Sequence, residues 1–209
     1  MTKESKRNLS PKESERKTQF DVVCKTMEKE GYTKTDLTVG IIQANIFAII
    51  LMMPFAGIVI FLYRMKNPSG DFYFGAGFIW LFALFLFLIV VHEGIHGLTW
   101  SMFAKKHFHS IEFGVIWQAL TPYCTCSEPL SKWQYIIGAA MPTLILGFAL
   151  SAAAVCFGNP GLTALSVMMI FSGGGDGLII LKLLLHRTKG KTVVYYDHPY
   201  ECGVVAFER

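Results

Sequence analysis

The chain has 209 residues, 53% of them hydrophobic and 16% charged, with a formal net charge of +4 and a mean hydropathy of +0.43. Soluble domains are about 25% charged, so this composition falls outside the ordinary soluble, disordered and collagen-like classes. The length suits one domain that uses a bilayer as part of its solvent.

Nine of the 19 Lys and Arg residues precede Val39, interleaved with seven acids: Glu4, Glu13, Glu15, Asp21, Glu28, Glu30 and Asp36. The arm is nearly balanced and reads as a solvated cytoplasmic face, so no nucleic-acid partner is expected. Within it, residues 11–30 carry Phe20, Val23 and Met27 at helical spacing before Gly31. That pattern predicts a helix lying against the rest of the protein or the membrane surface. The first apolar run begins only near Val39, behind this charged segment, which is not the layout of a secretory leader. The five cysteines (Cys24, Cys124, Cys126, Cys156 and Cys202) are odd in number and scattered, so no disulfide framework is expected.

Four apolar stretches are long enough to cross about 30 Å of hydrocarbon, which takes roughly 20 helical residues. The first covers residues 39–63, contains Pro54 and Gly57, and closes on Arg64 and Lys66. The second starts near Phe72, carries Phe78, Trp80, Phe82, Phe85 and Phe87, and runs to Val91 before His92 and Glu93. The third covers residues 133–157 and the fourth residues 161–185. The fold class expected is an all-α integral membrane protein of four transmembrane helices, with short β-hairpin elements at the cytoplasmic boundary. Flanking cations favour the cytoplasm. The arm, Lys105, Lys106, Lys132, Arg187, Lys189 and Lys191 then lie inside, with only Arg64 and Lys66 outside, so both termini are cytoplasmic in the cell membrane. The organisation expected is an N-terminal arm (1–38), a membrane domain (39–185) and a C-terminal tail (186–209).

Two segments carry strand signals. In residues 107–132, residues 111–120 mix β-branched and aromatic side chains, and Pro122 and Pro129 bracket a turn. In the tail, residues 192–196 read as a strand, Asp197-His198-Pro199 as a turn and residues 204–207 as the return.

At the inner end of the second span stands His92-Glu93-Gly94-Ile95-His96. Histidines at i and i+4 share a helix face about 6 Å apart, close enough for both rings to reach one Zn²⁺. Glu93, rotated roughly 100° from His92, falls beside such a metal, where it can take a proton from the attacking water and pass it to a leaving amine. A catalytic zinc normally takes three protein ligands. Asp176 is the only acid in the fourth span, in Ser172-Gly173-Gly174-Gly175-Asp176-Gly177, and an unpaired Asp in a membrane helix is costly. Its depth matches that of His92 if Gly173, Gly174 and Gly175 run extended, which lowers Asp176 by roughly 5 Å. The glycines read equally as a close helix-packing face. Glu128 is the reserve candidate for the third ligand, and Glu112 is a second loop acid near enough in sequence to reach the site. His107, His109, Cys124 and Cys126 fit structural zinc spacing poorly and read as an interfacial loop. His198 before Pro199 reads as a turn former.

These residues resemble an intramembrane zinc metalloprotease of the site-2 protease type. That type pairs a His-Glu-x-x-His helix with a later membrane Asp-Gly across a middle span bearing a Gly-Pro-type motif. The matching residues are His92, Glu93 and His96, Ala140-Met141-Pro142, and Asp176-Gly177. More closely, the chain resembles a small bacterial family of four-span zincin peptidases, through Gly31-Tyr32, Pro122-Tyr123-Cys124 and Asp197-His198-Pro199. The resemblance implies proteolysis of a membrane protein or peptide near the cytoplasmic face, with zinc as cofactor. The chain departs from the site-2 pattern in having Thr143 after the middle-span proline and glycines before Asp176, where the pattern carries substrate-holding residues. A non-catalytic zinc-binding scaffold or transporter accessory is the alternative, and it has no need of Glu93.

Overall fold

The computed structural model describes residues 10–68, 77–116, 121–188 and 190–209. The expected start of the second span near Phe72, the end of the strand signal over residues 117–120, and Lys189 fall outside them.

Helix α1 (Pro11–Lys29) starts on a capping box. Ser10 Oγ accepts from the Glu13 amide at 3.3 Å and Glu13 Oε2 accepts from the Ser10 amide at 2.8 Å, so two otherwise orphaned donors are met. Gly31, at φ +84°, turns the chain out of the helix. The predicted Phe20 stripe is buried against the protein itself, with Phe20 5.5 Å from Tyr196 and 6.4 Å from Phe207 between ring centroids.

The surface under α1 is a four-stranded antiparallel sheet in the order β1-β6-β5-β4. It comprises β1 (Thr33–Asp36), β4 (Leu130–Ser131), β5 (Val193–Asp197) and β6 (Val204–Glu208). Side chains alternate across a strand. Tyr195, Val204 and Ala206 therefore meet the helix ends, in one cluster with Trp100, Tyr135 and Leu183, while Tyr196, Val205 and Phe207 meet α1. Covered on both faces, β6 is buried along its whole length. The tail hairpin matches its prediction, with one correction: Asp197 ends β5 and is buried rather than turning the chain. His198 makes the turn, its Nδ1 accepting from the Glu201 amide at 2.9 Å.

A separate hairpin pairs β2 (Ile111–Ile116) with β3 (Thr121–Cys126). Pro122 does not bracket a turn as expected but lies in β3 opposite Val115. The pair Phe113 and Cys124 sits at a non-hydrogen-bonded position. The Phe113 carbonyl points outward to accept from Lys12 Nζ at 2.6 Å, and the Cys124 and Cys126 amides point to the opposite edge. All five cysteines are free thiols.

Among the described residues, three helices are long and apolar enough to cross a membrane: α2 (Ile41–Lys66), α3 (Gly77–Ser101) and the composite Lys132–Phe157. The composite joins α4 (Lys132–Pro142), a π-helical stretch (Thr143–Ala149) and α5 (Leu150–Phe157). The expected fourth span is not one straight helix. It is a pair, α6 (Pro160–Ser172) and α7 (Gly174–Leu185), bent by 45° at Gly173. Nor does the glycine run extend: the Gly177 amide still bonds the Gly173 carbonyl at 3.0 Å. The close-packing alternative is the one observed. A side chain at Gly173 would strike Thr143, and one at Gly174 would strike Ala48. α2 meets α7 with a stripe that includes Ala44, Ala48 and Met52. At the far end, Asn159 caps α6 by accepting from the Leu162 amide at 2.9 Å, and Lys66 Nζ reaches the Cys156 carbonyl at 3.3 Å.

Candidate metal centre

His92 and His96 lie one turn apart on α3, both buried. Asp176 reaches them from the first turn of α7. The bend at Gly173 aims that turn at α3. Asp176 Oδ2 stands 3.1 Å from His92 Nε2 and 3.3 Å from His96 Nε2. Among the described residues, these three form a group whose ligand atoms all lie within 4.8 Å of one another.

The second nitrogen of His96 shows what the first is for. Its Nδ1 lies 2.9 Å from the Gly138 carbonyl, an acceptor only, so Nδ1 carries the proton. His96 Nε2 is thereby left facing a carboxylate oxygen, a contact that a cation between the two atoms makes bonding. Ligands about 2.0–2.2 Å from a tetrahedral zinc stand roughly 3.3–3.5 Å apart. The two nitrogen–oxygen separations are close to that, and two imidazoles with one carboxylate are a donor set zinc accepts. The residues fit the metal. Around them, the His96 ring stacks on Trp100 with centroids 5.0 Å apart and planes at 13°, and Trp100 Nε1 donates to the Tyr135 carbonyl at 3.2 Å. Gly138 admits that indole, since any side chain there would collide with it. His92 is held less completely: its buried Nδ1 has no partner among the described residues, and neither has the buried Thr143 hydroxyl.

Glu93 stays out of the three-ligand group, as its rotation about α3 predicts. Its carboxylate lies by the Cys124 backbone amide, on the open edge of β3. That hairpin leans on α3 at Gly97, where a side chain would strike Phe113 and Ile111. Two positions along β3, the Cys126 amide donates to Asp197 Oδ2 at 3.0 Å. The Tyr135 hydroxyl donates to the other oxygen of Asp197. Burial pushes the Asp197 carboxyl above the ordinary carboxylate range, against the pull of these two donors. Thus β3, α4 and the tail converge on one buried acid.

The remaining candidates fall elsewhere. Glu128, the reserve candidate, accepts from the Lys105 and Lys106 amides at 2.8 and 3.0 Å and tethers the loop after α3, outside the three-residue group. Those donors and the Ser110 hydroxyl hold its carboxyl below its usual range in spite of desolvation. Glu112 sits in β2 opposite Thr125, also outside the group. His107 bonds the Ser101 carbonyl at 3.2 Å, and burial pushes the Cys126 thiol up to about 12. Asp197, Tyr135, Trp100 and Gly138 were not picked out from the sequence. Trp100 had a signal, four residues after His96 on one face of α3. Asp197 had none, because only the tail's fold brings it to β3.

The fold and site together define a mostly helical protein with a His-His-Asp group, its two histidines buried and its aspartate half-buried, suited to a divalent metal, and with a glutamate beside it. The sequence profile of the family described as "Putative zincin peptidase" matches residues 85–192, just over half of the chain and inclusive of His92, Glu93, His96 and Asp176. The chain belongs to that family, whose name implies zinc and peptide-bond hydrolysis. No curated protein and no solved structure matches the chain.

Proposed function

We propose that this protein is a membrane-embedded zinc metallopeptidase of the site-2 protease type, cutting a membrane-associated protein near the cytoplasmic face. His92, His96 and Asp176 hold the metal and Glu93 is the general base. The observation that carries the reading is the convergence of three donors from α3 and α7, 84 positions apart in sequence, with Glu93 left off the metal.

A zinc ion bound there supplies Lewis acidity to polarise a carbonyl and to acidify water. The chain's own residues do the rest. Glu93 takes the proton of the attacking water and returns it to the leaving amine. The Cys124 amide steers the Glu93 carboxylate, and the Gly138 carbonyl fixes the His96 tautomer. A helical substrate must unwind locally first, since its carbonyls are otherwise tied up in the helix.

Membrane residence is supported by the outward faces of the spans. Trp80 is 78% and Phe157 80% exposed amid many other exposed apolar side chains, a surface that water tolerates poorly. The sheet supports termini on one side, because β1 of the arm pairs with β6 of the tail and β4 leads directly into α4. Lys105, Lys106 and Lys132 belong to that end, which the positive-inside tendency assigns to the cytoplasm.

The test uses detergent-purified protein and an unstructured peptide fused to one transmembrane helix as substrate. Wild type is expected to carry one zinc per chain and to cleave. Glu93→Gln is expected to keep the zinc and lose cleavage, and Asp176→Ala to lose the zinc. Wild type without zinc under metal-replete conditions overturns the reading.

A further inference from the structure

The middle span changes character at Pro142. Helix α4 ends there, and the next seven residues, Thr143–Ala149, are π-helical. In an α-helix the amide of residue 142 would bond the carbonyl of residue 138. Proline has no amide hydrogen, and its ring crowds the carbonyl four residues back. The carbonyl so released is that of Gly138, and it accepts Nδ1 of His96 at 2.9 Å. The next amide does not reclaim it, because the Thr143 N–H bonds the Ala140 carbonyl instead. Pro142 is fully buried and has no lipid-facing role to explain it.

We propose that Pro142 is a positioning residue for the metal: by withholding its own amide it reserves the Gly138 carbonyl for His96, and so keeps the His96 Nε2 lone pair aimed at the ion. Metal-binding histidines generally hand their second N–H to a carbonyl or carboxylate, and loss of that partner weakens metal binding by about 10–100-fold. Here the partner is created by a missing donor on another helix. The inference rests on the zinc reading above and adds to it a residue that touches neither metal nor substrate. Pro54 is the internal comparison. It also lies inside a span, in α2, but it is exposed and outside the three-ligand group.

The experiment compares wild type, Pro142→Ala and Pro54→Ala in detergent. It measures zinc affinity by competition with a chromogenic chelator, and the melting temperature of each metal-free protein. Alanine at 142 supplies an amide that competes for the Gly138 carbonyl. Pro142→Ala is therefore expected to bind zinc about 10–100-fold more weakly, while its metal-free form melts at or above the wild-type temperature, because a backbone hydrogen bond is regained. Pro54→Ala is expected to bind zinc as wild type does. Wild-type zinc affinity in Pro142→Ala overturns the inference and leaves the metallopeptidase reading standing. A Pro142→Ala protein that loses thermal stability and zinc together also overturns it, assigning the proline to packing alone. Absence of zinc from the wild type overturns the reading beneath it.

Discussion

Two long apolar helical segments are interrupted at the candidate metal centre, by opposite means. The Lys132–Phe157 span is broken by a proline and stays one span, but a carbonyl on its inner face is set free for His96. The α6–α7 pair is broken at Gly173, whose amide still bonds the Met169 carbonyl and whose carbonyl still accepts from the Gly177 amide, but its axis bends by 45° and α7 presents Asp176 in its first turn. One interruption supplies an acceptor and the other a direction. The comparison shows why a metal site can sit among apolar helices at all. One break leaves a carbonyl for the second nitrogen of His96, and the other accompanies the approach of the Asp176 carboxylate to both histidines.

The comparison breaks most completely at Asp176. Asp176→Ala leaves the bend in place but removes the group it delivers, so zinc affinity is expected to fall by more than about 100-fold, beyond the range for loss of a supporting partner; equilibrium dialysis against buffered zinc checks this. Glu93→Gln separates chemistry from metal holding. Loss of a general base is expected to lower turnover of the helix-fused peptide by about 10²–10⁴-fold, with zinc content unchanged by elemental analysis.

The bend itself is tested at Gly174. A valine there meets the Ala48 backbone and is expected to cost about 1–3 kcal/mol as overpacking, read as a lower melting temperature together with weaker zinc binding. Weaker packing with intact zinc binding would show that the α2–α7 contact does not aim Asp176. The smallest effect belongs to the tail, far from either break. Lys191 donates to the Glu208 carboxylate at 3.0 Å and the Thr35 hydroxyl donates to the same carboxylate at 2.9 Å, and these bonds, the Lys191 one foremost, hold the Glu208 carboxyl below its ordinary range. A depressed carboxylate contributes stability above its unfolded pKa, about 4.3, and loses it as the pH falls through the folded value. Glu208→Gln is therefore expected to lower the melting temperature slightly at pH 7, and the difference from wild type is expected to vanish as the pH falls through the folded-state value of Glu208.

Much of this was legible in the sequence. His92 and His96 stand out because an i, i+4 pair at the edge of an apolar run is costly without a function. Asp176 stands out as the only acid in its segment. The tail hairpin and α1 follow from alternation and spacing. What escaped is long-range. Strands β1 and β4, of four and two residues, are defined by partners 175 and 65 positions away, as in Thr33 with Glu208 and Leu130 with Tyr195. Asp197 looked like a turn residue because Asp before His-Pro usually is one, and its burial depends on Tyr135 and Cys126 arriving from elsewhere. The role of Pro142 was open to arithmetic, since the carbonyl it frees is always four residues back. That His96 would be the group to use it required the packing of α3 on α4.

The central claim is a zinc held by two imidazoles and one carboxylate, with Glu93 and the thiols off the metal. X-ray absorption at the zinc edge on the purified wild-type protein tests it most directly. The expected result is one zinc per chain with only nitrogen and oxygen neighbours at about 2.0–2.2 Å, two of them showing imidazole outer-shell scattering. A sulfur neighbour at about 2.3 Å, which would bring Cys124 or Cys126 onto the metal, contradicts it, and so does a protein that holds no zinc.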